Sequence, residues 1–593
     1  MATEVHATTA KGAGFLTTPV TEAQFLTVEG FDETQREVRK LARTFAEREV
    51  LPKVEAIDHQ EAGVLRSLLR GAGEQGLLGV DVPEEYGGQD LGLVYAAIVA
   101  SEIAEGSFAV AFGTQTTIGL LPIVYYGNDD QKARFLPKMV SGETVSCYCL
   151  TEPGVGSDAM AIKTRATLSD DGTHYLLNGT KQWISNGGIA DIGIVFAKID
   201  DVKYSAFIMD MHAAGVTTSP EEAKMGIKGS STRLVYMENV KVPVENVLGE
   251  IGKGYKIAFN ILNIGRLKLG AGGVGGIRNI MAASADYAQT RKAFGKSINQ
   301  FGLIKAKLAG MAADEYAVEA IGFRTAGYIE GAREAAGENK LAQLTALEEF
   351  AAEASIAKVY GSEAVGRTAD EGVQIFGGNG FMTGYAVEKA YRDARISRIF
   401  EGTNEINRLL AAGKVFERVM GGKLNLFDLV PEVEQQAQSG NIPDFAATGV
   451  PGDLRSAVNA LERAKRAAIY GVMKASMKYV ANIKDEEEFL GNTGDILINL
   501  FAIDSAVGRA LQAARLNDAQ IKTHTQLANM VAWRLLPQLR TSLERIIESA
   551  MEGDDRAAEL KLVRGYLSDL DVNGTDLSRS IADLVIAKGG YPL

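Results

Sequence analysis

A mainly α protein with a central β domain is what this 593-residue sequence predicts, on three observations. Helical periodicity runs from Phe31 to about Val140, the apolar period shifts towards two from Thr144 to about Pro243, and helical periodicity returns at Gly254. The chain also exceeds the ~250–300 residues at which single cores stop growing, so several domains are expected.

Residues 1–30 read as an N-terminal extension. Residues 31–143 read as a helical domain, because apolar residues recur at three-and-four spacing in TQREVRKLARTFAEREVL and LVYAAIVASEIAEG. Within 144–250 the runs HYLLNGTKQWIS, DIGIVFAKID, SAFIMDM and RLVYMENVKVP are strand-like, with Asp171-Gly172 and Asn178-Gly179 as turn dipeptides. Residues 251–420 read as a helical bundle. Gly421-Gly422 and the weakly periodic LVPEVEQQAQSGNIPDFAATGVPGD mark a linker over 421–452, where Pro431 and Pro443 are expected to limit any continuous helix. Apolar periodicity between Leu454 and Ile586 then gives an appended helical domain, 453–593. GAGGVG, residues 270–275, satisfies G-x-G-x-x-G but follows helical ILNIGRLKL instead of a strand, so it reads as close helix packing through small residues.

Composition narrows the chemistry. Hydrophobic content of 46% and charged content of 23% suit a soluble protein, and no run approaches the ~20 apolar residues of a membrane span. MATEVHATTAKGAGF lacks the basic start and apolar core of a secretory signal, and the arginines of a transit peptide. A net charge of −13 argues against a nucleic-acid partner. Cys147 and Cys149 fall two apart in a strand and share a face, which excludes a disulfide framework. The five histidines show no metal-ligand spacing, so no metal site is expected. Carboxylates or a cofactor must carry any reaction.

RIFEGTNEI, residues 398–406, sets Glu401 beside Ile399 and Phe400. If those two turn inward, the carboxylate must be paired or reactive, because burying it otherwise costs stability. An ordinary loop capped by Thr403, with Glu401 in water, fits this stretch equally.

Five segments bear on that choice: CYCLTEPGVGSDA (147–159), KQWISNGG (181–188), RKAFGKSINQFGLIKAKLA (291–309), QIFGGNGF (374–381) and IFEGTNEI. In order and spacing they resemble the acyl-CoA dehydrogenases, over roughly residues 35–420. The extension ending AKGGYPL resembles the very-long-chain subgroup and its bacterial relatives. The resemblance implies a β-barrel-like middle domain between helical domains, FAD as cofactor, and oxidation of acyl-CoA to trans-2-enoyl-CoA in fatty acid β-oxidation. Electrons would pass to an electron-transfer flavoprotein. It makes Glu401 the catalytic base and places Tyr148, Leu150, Thr151, Gly156 and Ser157 along the flavin, Ser157 also near the thioester. Trp183 would lie against the isoalloxazine, with Ser185 near its reactive nitrogen. Arg291 and Phe294 would meet the FAD of the neighbouring subunit. Gln374, Gly377, Gly378 and Thr403 would also face the cofactor, and Asn263, Arg266 and Gly402 the substrate. Ser231 and Thr232 resemble positions near the active site less specifically.

The subgroup further implies a homodimer and long acyl substrates, with small residues in EGSFAVAFGTQTTIG (105–119) leaving room for the tail or serving helix packing. Very-long-chain relatives bind membranes through a basic segment. Here 423–447 carries one basic residue against four acidic ones. A cytoplasmic enzyme with at most weak membrane association, through Leu424, Leu426, Phe427, Leu429 and Val430, is therefore expected. An acyl-CoA oxidase and a non-catalytic scaffold are the competing classes.

Overall fold

The computed structural model describes residues 10–337, 340–446, 449–480 and 482–593; the start of the expected N-terminal extension and Ala447 of the linker lie outside these. Helices precede and follow one mixed sheet of eight strands, as the change of period predicts. The strands are β1 (Ser146–Cys149), β2 (Arg165–Leu168), β3 (His174–Ser185), β4 (Ile192–Ile199), β5 (Lys203–Asp210), β6 (Val216–Thr218), β7 (Thr232–Pro243) and β8 (Val247–Leu248). Their order is β6-β7-β3-β2-β4-β5-β8. One edge of β4 pairs antiparallel with β5, while the other is shared by β1 and β2, both parallel to it. Cys147 and Cys149 do share a face, with their sulfurs 3.7 Å apart and reduced, in the core against Val195 and Met209.

Asp171-Gly172 makes its turn, with Gly172 at φ 70°. Asn178-Gly179 does not. It lies inside β3, where the register against β7 slips between Leu177 and Gly179. Gly179 has φ 155°, and a Cβ there would stand 2.6 Å from Thr164 Oγ1, so the same dipeptide that builds turns here builds a bulge.

Long helices follow: Gly254–Thr290, Gly302–Ala336, Ala351–Phe376 and Asn404–Met420. GAGGVG is helical, as read. A Cβ on Gly270 would meet the Ala357 carbonyl at 2.5 Å and one on Gly275 the Ala104 Cβ at 2.4 Å, so these glycines let helices touch.

Two expectations need correction. The linker contains a helix, Leu429–Ser439, because Pro431 falls in its first turn, where a missing N–H breaks no bond. Leu424 and Leu426 are buried, Leu429 and Val430 pack on the same core, and Phe427 alone of the supposed membrane foothold is exposed. Contrary to the composition reading, two helical runs, Gly106–Tyr126 and Glu487–Arg515, are long and apolar enough to cross a membrane; both lie mostly inside the fold.

The last five helices, Arg455–Ser476, Glu487–Arg515, Ile521–Ala550, Gly553–Tyr566 and Gly574–Lys588, dock on the bundle. Residues from Ala13 to Phe31 form a strap at this junction. Phe15, Leu16 and Val20 are buried there, Val20 N–H donates to Glu462 (2.8 Å), and Lys465 donates to the Thr18 carbonyl (2.9 Å). Arg509 then clasps Glu29 of the strap at 2.6 Å and Glu319 of the bundle at 2.8 Å.

Candidate active site

The turn between Arg398 and the helix Asn404–Met420 is strained and tightly held. Glu401 has φ 58° and Gly402 φ 80°, two successive left-handed residues, of which only the glycine adopts that state without cost. Donors from three helices compensate. Arg266 Nε donates to the Glu401 carbonyl (3.2 Å), and Lys358 Nζ to the Gly402 carbonyl (2.7 Å). Asn407 Nδ2 donates to the carbonyls of Gly402 and Thr403, both at 2.9 Å. Thr403 caps the helix, accepting from Ile406 N–H (3.3 Å).

The carboxylate is the anomaly in this well-satisfied turn. Glu401 Oε2 is sealed from solvent and has no hydrogen-bond partner among the described residues. Burial therefore pushes its pKa up to about 7, against the pull of Arg266 and Lys358. Glu401 Oε2 is thus out of water, although Thr403 caps the helix as the loop alternative has it. Its floor is Gly265, a residue the sequence reading missed: a Cβ there would stand 2.8 Å from Glu401 Oε2. A glycine inside a long helix, at a cost of roughly 1 kcal/mol against alanine, was the available signal.

Asn263 and Arg266 are buried beside the turn and bonded to each other, Arg266 Nη1 donating to Asn263 Oδ1 at 2.8 Å. Tyr148, on β1, packs edge-on to Phe196 (5.0 Å), and its buried hydroxyl has no partner among the described residues. Burial first, then Tyr204 and Glu401, hold that hydroxyl neutral. Leu150 and Thr151 continue the strand, half-buried, and the Thr151 carbonyl accepts from Gln182 N–H (2.8 Å). Gly156 and Ser157 are exposed, with open space above Gly156.

Trp183 sits where β3 slips register again, between Lys181 and Ile184, at φ 57°. The slip turns its indole outwards, 60% exposed, while Lys181 and Ile184 stay buried. Ser185 closes the strand. The next residue, Asn186, was also missed; its Nδ2 donates to the carbonyls of Ala111 (3.1 Å) and Ser146 (3.2 Å) and pins β3 to the start of β1. Ser231 and Thr232 are both engaged by Glu221, through Ser231 Oγ (2.8 Å) and Thr232 N–H (2.7 Å), and so act as a clamp beneath this loop.

Arg291, Phe294, Gln374, Gly377 and Gly378 form a separate exposed group. Phe294 is 96% exposed at φ 50°, and nothing lies within 4 Å of a Cβ placed on Gly377 or Gly378. Arg291 follows the last turn of the helix whose Gly265 floors the base; 25 residues at about 1.5 Å each put roughly 38 Å between them. One chain therefore carries two halves of the expected site far apart. The exposed Trp183 indole, the unpartnered Tyr148 hydroxyl and Glu401 Oε2 suit one end of a large planar cofactor, and the open glycine shelf belongs to the distant group.

Acyl-CoA dehydrogenase N-terminal, middle and C-terminal domain families match residues 32–143, 147–240 and 252–416, and a further C-terminal domain family of the same name matches 463–565. A probable acyl-CoA dehydrogenase of Bacillus subtilis is 43% identical over 523 residues, covering 86% of each chain. The human mitochondrial very long-chain specific acyl-CoA dehydrogenase is 37% identical over 506 residues, covering 80% of this chain and 73% of its own. Among solved structures, an acyl-CoA dehydrogenase complexed with FAD from Bacillus anthracis superposes with a TM-score of 0.94 at 40% identity, over 98% of this chain and 100% of that one. Butyryl-CoA dehydrogenase from Megasphaera elsdenii superposes with a TM-score of 0.59 at 34% identity, over 65% of this chain and 99% of its own. The chain belongs to the acyl-CoA dehydrogenase family.

Proposed function

We propose that this chain is an FAD-dependent dehydrogenase of long-chain acyl-CoA in fatty acid β-oxidation, with Glu401 as the base that removes the α-proton. The observation that carries this reading is Glu401 Oε2, sealed and unpartnered over Gly265, where burial raises the carboxyl pKa to about 7. A base poised near the operating pH is ionised often enough to act and basic enough to take a proton. FAD, when bound, supplies the acceptor for the β-hydrogen leaving as hydride.

The chain's own residues do the rest. The left-handed turn directs the Glu401 carboxyl over Gly265, and the absence of a side chain there leaves room for it. Arg266 and Lys358 favour its charged form before the proton arrives. The Glu401 N–H, without an acceptor among the described residues, is left to donate to the thioester oxygen as the α-proton departs. Tyr148, Leu150, Thr151, Gly156, Ser157, Trp183, Ser185 and Thr403 would hold the flavin end. Gln374, Gly377 and Gly378, with Arg291 and Phe294, would hold the remainder from the neighbouring subunit.

The ~38 Å division of the site, and the exposed side chains of Phe294, Leu303, Phe381 and Met382, support a homodimer. Light scattering at twice the chain mass checks this, and a tetramer overturns it. The likeness to the very long-chain specific relatives supports long acyl chains and an electron-transfer flavoprotein as acceptor, and the acidic linker supports a cytoplasmic location. The test of the whole reading is anaerobic bleaching of bound flavin by palmitoyl-CoA, followed by turnover with an artificial electron acceptor. Rapid bleaching is expected. No bleaching by any acyl-CoA would overturn the proposal, and oxygen consumption without an acceptor protein would mark an oxidase.

A further inference from the structure

We propose that Lys358 is a positioning residue for the base: seated behind the Glu401–Gly402 turn, its ammonium fixes the backbone that aims the carboxylate and keeps a positive charge next to it. This rests on the reading of Glu401 as the base.

Lys358 lies on the helix Ala351–Phe376 and is fully buried. A buried ammonium is costly unless it is paired. Yet no carboxylate lies within ion-pair distance of Lys358 among the described residues. Its two partners are neutral: the Gly402 carbonyl and Asn404 Oδ1, each at 2.7 Å. Asn404 is in turn held by Glu363, which accepts from its Nδ2 at 3.0 Å, so the lysine's seat is built from two directions. If only two acceptors had to be satisfied, a neutral donor would serve without the desolvation cost of a charge. The charge therefore has a use, and the group it acts on most strongly is Glu401.

Burial brings Lys358 down to about 8, while Glu401 works against that shift, ahead of the smaller effects of Arg266, Glu405 and Glu363. Facing Glu401 itself are Arg266 from the helix Gly254–Thr290, Lys358, and Tyr148 from β1, whose phenol stays neutral. Glu401 thus has two cations near it. Arg266 is bonded to the carbonyl of the base and Lys358 to the next carbonyl along, so each both grips the turn and favours the ionised carboxylate. Removing Lys358 leaves one cation, and Glu401 should hold its proton to higher pH.

The experiment compares flavin-loaded wild type with Lys358→Met, Lys358→Gln and Lys358→Arg by two readouts. One is the pH dependence of anaerobic flavin bleaching; the other is infrared titration of the protonated-carboxyl band that Glu401→Gln removes. Met and Gln are expected to move both midpoints alkaline by about one unit, a tenfold change in proton affinity, with flavin content retained, and Arg to keep them near the wild-type values. Unmoved midpoints in a flavin-loaded Met or Gln variant would overturn the proposal, as would an equal shift in Arg. The base reading fails separately: bleaching by Glu401→Gln would overturn it, whereas the infrared midpoint reports on Lys358 with no turnover.

Discussion

Glu401, pushed up to about 7 by burial, holds its proton in the folded chain over a range where an unfolded glutamate, at 4.5, has lost it. A raised carboxyl pKa gives stability that is complete below 4.5 and is lost as pH rises towards 7. The difference of about 2.5 units corresponds to roughly 3 kcal/mol. Glu401→Gln is therefore expected to abolish flavin bleaching and, in the same flavin-loaded protein, to unfold at a higher temperature than wild type at pH 8 but alongside it at pH 4.5. Calorimetry at the two pH values checks this, and coincident transitions at pH 8 would show that the buried charge carries no penalty. Gly265→Ala separates geometry from chemistry. Alanine favours the helix by about 1 kcal/mol, yet its methyl would stand 2.8 Å from Glu401 Oε2. Stability is expected to hold while the bleaching rate falls about 10–100-fold, since small misplacements of a reacting group cost that much. An unchanged rate would place the working carboxylate elsewhere.

At the level of elements, legibility followed the range of the forces involved. HYLLNGTKQWIS begins and ends with β3 because alternation is a local property, and the helices on either side of the sheet were readable for the same reason. The bulge at Asn178-Gly179 was not, because it arises against Thr164, the residue before β2. Glu401 stood out with the help of four other segments, but the grip on its turn was not legible: the resemblance set Arg266 by the substrate alone, 135 residues from Glu401, and nothing marked Lys358, 44 residues from Gly402. The slip that exposes Trp183 makes a prediction at this scale. Trp183→Ala removes an indole already 60% in water, so the flavin-free protein should keep its stability to within about 0.5 kcal/mol, while flavin content on purification falls sharply. Full flavin retention, measured by absorbance, would show that the indole is not part of the cofactor's seat.

For the whole molecule, the strap and its clasp decide how the last helices stay attached. Nothing in residues 10–31 announced this, because the stretch has no clear period and its partners are hundreds of positions away. Burial alone would raise Glu29, but the charge and hydrogen bonds of Arg509, with His524 adding, bring it down to about 2. A lowered carboxyl pKa gives stability that is present above 4.5 and is lost as pH falls towards 2, so acid should loosen this junction. Arg509→Met takes the guanidinium partner from buried Glu29, while Glu319 keeps Arg39 at 2.7 Å, and is expected to cost about 3–5 kcal/mol, the usual penalty for breaking a buried pair. Urea denaturation followed by circular dichroism measures it. A loss below 1 kcal/mol would mean that the clasp does not hold the extension.

The clasp also imposes a schedule on synthesis. Glu29 and Arg509 are 480 residues apart, and at about 5–20 residues per second the first waits roughly 24–96 s for the second to be made. Throughout that interval Phe15 lacks Phe501, its ring partner at 4.8 Å, and Val20 lacks the helix Glu487–Arg515 on which it packs. The nascent chain must carry an apolar, glutamate-tipped tail past the ribosome until its final quarter emerges, and that tail is where a chaperone would bind longest.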